Sequence, residues 1–240
     1  MSNTYYQPGD QRAERVNQLF DGIARQYDFI NDVQSLGLHR IWKKWLWLIA
    51  QPEPEAKVLD LCCGTGDIAF LFANRCCNVT AIDFSGGMLD VARERQEAEP
   101  PLRPVQFTQG DAMNTGLPDK SFDFITIGYG LRNLSDFGMA LAEMKRLLKP
   151  GGQLLILEFG KPDGVFLRGA YYAYLMAAVP LFGKIFCGDK DAYGYILESL
   201  KNYPAQRGVK DLMDVMGFER TRITNFFGGT MSINSGLAPA

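Results

Sequence analysis

The sequence predicts an α/β fold built on a doubly wound, mostly parallel sheet, and three stretches carry that prediction. Lys57–Leu61 is a short apolar strand that runs through Cys62, Cys63, Gly64, Thr65 and Gly66 into a helix opening at Asp67. Gly64 and Gly66 let the backbone pass close to a ligand, and the free N–H groups of the helix start point at it. A second apolar strand, Val79–Asp83, ends in a carboxylate, where such a sheet presents an acceptor to ribose hydroxyls. The chain then closes as helix, strand, glycine pair (Gly228, Gly229) and strand, a terminal hairpin on the sheet edge. The expected ligand carries a ribose.

Composition bounds the rest. A chain of 240 residues with 47% hydrophobic content is long enough for one well-buried α/β domain with extra segments and too short for two. A net charge of −2 supplies no basic field for a phosphate backbone, so nucleic acid is not expected as a partner. The 5 cysteines form the adjacent pairs Cys62-Cys63 and Cys76-Cys77 plus Cys187, and none has the Cys-x-x-Cys spacing of a zinc site. Adjacent thiols suit packing in a reducing compartment. The N-terminus has neither a charged nor an apolar signal region. A cytoplasmic, metal-free protein is expected.

In chain order, Val16, Leu19, Phe20, Ile23, Ala24 and Tyr27 recur at helical spacing from Gln11 to about Asp28, and a second helix runs from Leu38 to Ala50 with Trp42, Trp45 and Trp47 among positive charges. Both precede the first strand. Residues 1–50 are therefore expected as a helical cap over the ligand edge of the sheet, with two helices that simply complete the core as the plainer alternative. Gln51-Pro-Glu-Pro-Glu55 is a linker, and residues 51–162 form the cofactor-binding core. Ser85 is placed to cap the helix after Asp83, and that helix stops before Pro100-Pro101. A third strand, Pro104–Thr108, delivers Gly110, Asp111 and Ala112; a fourth, Phe122–Ile127, leads to Gly128 and on to Arg132 and Asn133. The helix Met139–Leu148 ends at Lys149-Pro-Gly-Gly152, which turns the chain into a fifth strand, Gln153–Phe159.

Residues 163–203 are expected as an apolar insertion. Tyr172, Leu175, Met176 and Phe182 belong to a dense aromatic and aliphatic run interrupted by Pro180, and the uncharged span 169–183 is shorter than the ~20 residues that cross a bilayer. It reads either as a buried core helix or as a lid over a hydrophobic substrate, resting against a membrane. Residues 204–240 complete the core sheet, in one domain overall.

The glycine turn fits two cofactors. Gly64-x-Gly66-x-x-Ala69 satisfies the dinucleotide fingerprint, whereas Asp60-x-x-x-Gly64-x-Gly66 is close to the acidic turn of S-adenosylmethionine-dependent methyltransferases, with Cys62 where their first glycine usually stands. The second half of the chain favours the latter, since too few residues follow the fifth strand for a dehydrogenase's substrate domain. The Leu148–Gly152 turn, Gly110-Asp-Ala112, Phe122-Asp-Phe124 and the terminal hairpin resemble the class I methyltransferase fold, a Rossmann-like seven-stranded sheet. Over nearly the whole chain, Phe20–Asp32, Gly37–Lys43, Tyr129–Asn133 and Leu157–Pro162 resemble the ubiquinone/menaquinone-biosynthesis C-methyltransferase family, with Gly-Leu-Arg132-Asn133 the most specific block.

That resemblance implies S-adenosylmethionine as cofactor, held by Asp60, Gly64, Thr65 and Gly66 at the turn, by Asp83 at the ribose, and by Asp111 with Ala112 at the adenine. Many relatives carry serine after the fourth strand; this chain carries Gly128 there. It also implies methyl transfer to a ring carbon of a reduced, prenylated quinone, with Arg132, Tyr27 and Asn133 as the catalytic candidates: a guanidinium stabilises the phenolate that makes the ring carbon nucleophilic. Each residue has a plainer reading as well. Asp83 could cap the following helix, Asp111 a turn, Arg132 could pair with an acid, and the sole histidine, His39, reads as structural.

The aromatic run, with Tyr172, Leu175, Met176 and Phe182 as substrate residues, would then seat the prenyl tail, whose burial stabilises by about 25 cal/mol per Å². The ending Gly228–Asn234 is more like phototroph homologues that methylate a phytylated naphthoquinol. A lipophilic quinol is thus the expected partner, with peripheral membrane contact, and a homodimer is left open. The alternatives are a methyltransferase acting on a benzoquinol, tocopherol or sterol precursor, a NAD-dependent dehydrogenase, and a catalytically silent binding module.

Overall fold

The computed structural model describes residues 17, 18, 20–186, 199, 200 and 202–240, with backbone alone for 178–186. Helical residues 17, 18 and 20–23 lead through a 3-10 turn, Ala24–Gln26, into α1 (Tyr27–Ser35) and α2 (Leu38–Ala50). There follow β1 (Lys57–Leu61), α3 (Asp67–Ala73), β2 (Asn78–Asp83), α4 (Gly86–Ala98), β3 (Gln106–Gln109), β4 (Phe122–Gly128), α5 (Phe137–Leu147) and β5 (Leu148–Phe159). The chain ends with α6 (Val165–Phe186), α7 (Ala205–Val215), β6 (Glu219–Phe226) and β7 (Met231–Leu237).

The strands form one 7-stranded sheet in the order β3-β2-β1-β4-β5-β7-β6. β1 to β5 are parallel, while β7 runs antiparallel to both β5 and β6. The hairpin thus folds back to place its second strand inside, next to β5. A dinucleotide-binding sheet of order 3-2-1-4-5-6 has no such insertion, so the topology answers what the glycine turn left open: this is the class I methyltransferase architecture.

Alternation along the central strands splits the core into two layers. Leu59, Leu61, Ile125, Ile127, Leu154 and Ile156 face α5 and α7, packing on Leu141, Met144, Val209 and Met213. Val58, Val79, Leu155, Leu157 and Ile233 face α3 and α2, packing on Ile68, Phe72, Leu46 and Ala50. The expected N-terminal cap therefore divides. α2 completes a core layer, because Leu46 and Ala50 on one of its faces meet the sheet, while Asn17, Phe20 and Tyr27 reach the ligand edge.

Other boundaries move for local reasons. The first helix does not stop at Asp28: Phe29, Ile30 and Val33 carry it to Ser35, and the left-handed pair Leu36 (φ 50°) and Gly37 (φ 74°) ends it. β3 begins at Gln106 rather than Pro104, since proline has no N–H for the ladder. Lys149-Pro-Gly-Gly152 is absorbed into β5 as an irregularity, where the partners of Phe122 and Phe124 jump from Leu148 to Gln153. α6 runs as one helix through Pro180, and no helix among the described residues is long and apolar enough to cross a membrane.

Candidate functional site

A cleft opens at the carboxyl ends of β1, β2 and β4. Its floor is the glycine turn. Cys62 holds a left-handed conformation (φ 52°), as do Gly64 (φ 55°) and Gly66 (φ 89°), which explains why glycine is usual at the Cys62 position. The room for a side chain there comes from Gly130, where an added Cβ would lie 2.4 Å from that of Cys62. Tyr129 (φ 60°), also on the cleft, is left-handed as well.

At one end stands Asp83. Its Oδ2 accepts from the Gly64 N–H at 2.7 Å and its Oδ1 from the Ser85 N–H at 2.9 Å, so it ties the glycine turn to the start of α4. Burial raises its pKa above the usual carboxylate range despite these donors. The helix cap itself is Ser85, whose Oγ accepts from the Met88 N–H at 3.0 Å. Next to it Asp111 shapes a turn, its Oδ1 accepting from the Met113 N–H at 2.8 Å, and Ala112 and Gly110 keep the wall low.

Residues 17, 18 and 20–28 form the roof. Phe20 and Tyr27 line the cleft with rings edge to face, 6.1 Å apart. Burial pushes the Tyr27 phenol up to about 12, against the pull of Asn31 and Arg132, so it stays protonated at neutral pH. A polar latch fixes this roof to the floor. Thr65 Oγ1 donates to Asp28 Oδ1 at 2.7 Å, and Arg95 Nη1 reaches Asp28 Oδ2 (3.0 Å) and the Thr65 carbonyl (2.9 Å). Arg95 Nη2 and Lys43 Nζ share Asp67 at 2.8 and 2.7 Å. Burial alone would raise the Asp67 carboxyl, but Lys43 and Arg95 outweigh it and hold it well below the usual range.

The back wall is Gly128, Tyr129, Gly130 and Asn133. A Cβ on Gly128 would lie 2.4 Å from Ile68 Cδ1, so a serine at this position needs a smaller neighbour than this chain provides. The Tyr129 hydroxyl is buried and has no hydrogen-bond partner among the described residues. Behind the wall, Arg132 and Glu158 are both buried and form an ion pair at 3.2 Å. Burial raises the Glu158 pKa, partly offset by that guanidinium. Arg132 Nη1 also donates to Asn133 Oδ1 at 2.7 Å and to Ser199 Oγ at 3.3 Å.

Of the residues singled out in the sequence, Tyr27, Gly64, Asp83, Asp111, Ala112, Gly128 and Asn133 meet on this cleft. Others do not face it. Asp60 is fully buried below the turn, where its Oδ1 accepts from Thr126 Oγ1 at 2.7 Å and burial pushes its carboxyl up to about 7. The Thr65 hydroxyl is committed to Asp28, Gly66 closes the turn onto the Cys63 carbonyl, and Arg132 stands behind the wall, bonded to Asn133. His39 is structural, its Nε2 at 2.8 Å from Asp32. The expected substrate residues are not among those lining this cleft: Tyr172 is tilted against Tyr171, Leu175 is buried and Met176 faces solvent, while the Phe182 side chain lies outside the described residues. α6 packs on the hairpin turn instead. Tyr129 and Glu158 sat inside blocks the sequence singled out, yet a buried hydroxyl and a counter-ion leave no spacing signal; the Asp28–Arg95 contact spans distant segments and left none either.

Residues 9–238 match the ubiE/COQ5 methyltransferase family. The chain is 39% identical over 235 residues to a ubiquinone/menaquinone biosynthesis C-methyltransferase of Cellvibrio japonicus, covering 97% of this chain and 94% of that protein. It is 41% identical over 228 residues to the protein of the same name from Teredinibacter turnerae, covering 94% and 92%. Among solved structures it resembles the S-adenosylmethionine complex of Haemonchus contortus phosphoethanolamine N-methyltransferase 2, with a TM-score of 0.62 at 17% identity, over 81% of this chain and 51% of that one. At that identity the likeness concerns the fold.

Proposed function

The chain belongs to the ubiE/COQ5 methyltransferase family and is an S-adenosylmethionine-dependent C-methyltransferase, and from that premise we propose that it methylates a ring carbon of a reduced, prenylated naphthoquinone in quinone biosynthesis. The observation that carries this reading is one cleft that brings a carboxylate, apolar walls and a set of buried polar groups together. Asp83 supplies the carboxylate, Phe20, Met88 and Leu134 line the walls, and Tyr27, Tyr129 and Asn133 supply the polar groups.

These residues fit the cofactor. Asp83 has lone pairs left for two ribose hydroxyls after accepting from Gly64 and Ser85. Asp111 accepts from the adenine amino group in this reading, with Ala112 packed beside the ring, while Gly64 and Gly128 leave the backbone bare for the amino-acid end. Thr65 and Gly66 act by shaping the turn, and Asp60 supports it from below. S-adenosylmethionine supplies an electrophilic methyl group.

The acceptor carbon is nucleophilic only when a quinol hydroxyl gives up its proton and charge moves onto the ring. Asn133, oriented by Arg132, offers an amide to the developing phenolate, and the positive charge behind it favours that anion. Tyr27 and Tyr129 stay neutral because burial raises both phenols, so each acts as a hydrogen-bond donor to the quinol oxygen rather than as a base. After methyl transfer the ring carbon gives up its proton and the ring becomes aromatic again, and the phenolate oxygen takes up a proton to return the quinol, so one proton is released for each methyl transferred. The Asp28–Arg95–Asp67 latch holds the roof over the cleft and keeps water from the reacting centre.

Two measurements test this reading. Calorimetric titration should give binding of S-adenosylhomocysteine and none of NADH. Methyl transfer should require a reductant such as dithionite, and full turnover of the oxidised quinone under air would overturn the mechanism.

A further inference from the structure

α2 carries two apolar faces, and the fold uses one. Leu46 and Ala50 enter the core, whereas Ile41, Trp45 and Leu48, at i, i+4 and i+7, are 51%, 40% and 44% exposed. The stripe continues across neighbouring elements. Trp45 leans on Phe226 at 5.6 Å between ring centres and Trp42 on the exposed Phe227 at 6.2 Å. Beyond Phe227, Leu167 of α6 lies over Gly228, where a Cβ would meet it at 2.4 Å, and Phe166 next to it is 95% exposed. Tyr174 Oη donates to the Gln34 carbonyl at 3.1 Å, joining α6 to the end of α1, where Leu36 is 87% exposed. The outer faces of α2, the hairpin turn and the first half of α6 thus form one surface.

The charges on this surface have one sign. The chain contains 27 acidic residues, yet neither Leu38–Ala50 nor Val165–Phe186 has any. Among the described side chains of these helices, the exposed charges are Arg40 and Lys44 on α2 and Arg168 on α6. Arg40 is held by Asp32 and Arg168 by the Pro162 carbonyl, which leaves Lys44, between Ile41 and Trp45, free to turn outward.

We propose that this face lies on an anionic lipid bilayer, with α2 and the start of α6 in the interfacial plane. Tryptophan and aliphatic side chains beside basic ones are the composition of a helix lying at a headgroup boundary. An acidic partner would need more cations than this face offers, whereas a lipid surface takes the apolar area as well as the charge. No helix among the described residues is long and apolar enough to span, so the contact is peripheral.

The test is flotation of the full chain with large unilamellar vesicles of phosphatidylcholine alone or mixed with phosphatidylglycerol. Wild-type protein should float with the mixed vesicles and weakly with phosphatidylcholine. Ile41→Asn with Leu48→Asn should weaken binding about tenfold or more, and Lys44→Gln about fivefold on mixed vesicles only. Both variants should melt like wild type. Failure of the wild type to float, or equal flotation of the double variant, would overturn the proposal. So would sedimentation showing a wild-type dimer that the double variant splits, since the face would then belong to a second copy. Binding is read without turnover, so a negative result here leaves the methyl-transfer reading untouched.

Discussion

Arg132 and Glu158 face each other at 3.2 Å with both side chains buried, directly behind the cleft wall that carries Asn133. The pair explains why a charge can be kept so close to an apolar acceptor site: the carboxylate compensates the guanidinium structurally, and the guanidinium's Nη1 remains to orient Asn133.

Removing Arg132 therefore has two effects that need separating. Arg132→Ala leaves Glu158 buried without its counter-charge and should destabilise the fold by about 3–5 kcal/mol. Arg132→Lys keeps a charge opposite Glu158 but loses the planar fork that orients Asn133. It should fold and bind S-adenosylhomocysteine normally, with kcat lowered by up to about 10²-fold and partly restored at higher pH, where bulk base helps form the phenolate. Steady-state kinetics with calorimetry checks this; an unchanged kcat would make the residue purely structural.

Asp83→Ala should weaken S-adenosylhomocysteine by about 1.5–3 kcal/mol, the worth of hydrogen bonds to a charged group. Asp83→Asn, which keeps one acceptor oxygen for the turn, should fall between the two. Calorimetry that finds wild-type affinity in both variants would place the ribose elsewhere.

Gly128→Ser should cost about 1–3 kcal/mol through overpacking against Ile68. Gly128→Ser combined with Ile68→Val removes the clashing Cδ1 and should recover most of that loss. Thermal melts of the single and double variants read the coupling directly, and additive effects would show that the two side chains do not meet.

Asp60 makes stability depend on pH. Its carboxyl is pushed up from the ordinary 3.8 to about 7 by burial, so the folded protein holds that proton more tightly than the unfolded chain. Its contribution to stability is greatest near pH 4, declines as pH rises towards 7, and is level above that. Asp60→Asn does not titrate, so its Tm should climb relative to wild type between pH 5 and pH 8. A constant difference over that range would mean that Asp60 is already charged.

Much of this architecture was legible in the sequence because it rests on local signals. The glycines at 64 and 66, the carboxylate ending the second strand, Ser85 at its helix start and the pair Gly228-Gly229 each have a backbone reason that shows in the residues themselves. What was not legible depends on contacts between distant segments. Nothing near Thr65 says that its hydroxyl belongs to Asp28, and nothing near Arg132 says that Glu158 lies across from it. The aromatic run around Tyr172 left two readings open for a related reason: apolar content does not reveal which side chains of a helix turn inward and which, like Phe166 and Met176 of α6, face the outside.

The most direct test of the central claim is transfer of labelled methyl from S-adenosylmethionine to a panel of acceptors kept reduced: a prenylated or phytylated 1,4-naphthoquinol lacking the ring methyl, a prenylated benzoquinol, and tocopherol and sterol precursors. Label should appear on the naphthoquinol ring carbon, with much lower kcat/KM for the others. Preferential labelling of the benzoquinol or another precursor, or no transfer to any quinol by protein that binds S-adenosylhomocysteine, would contradict it.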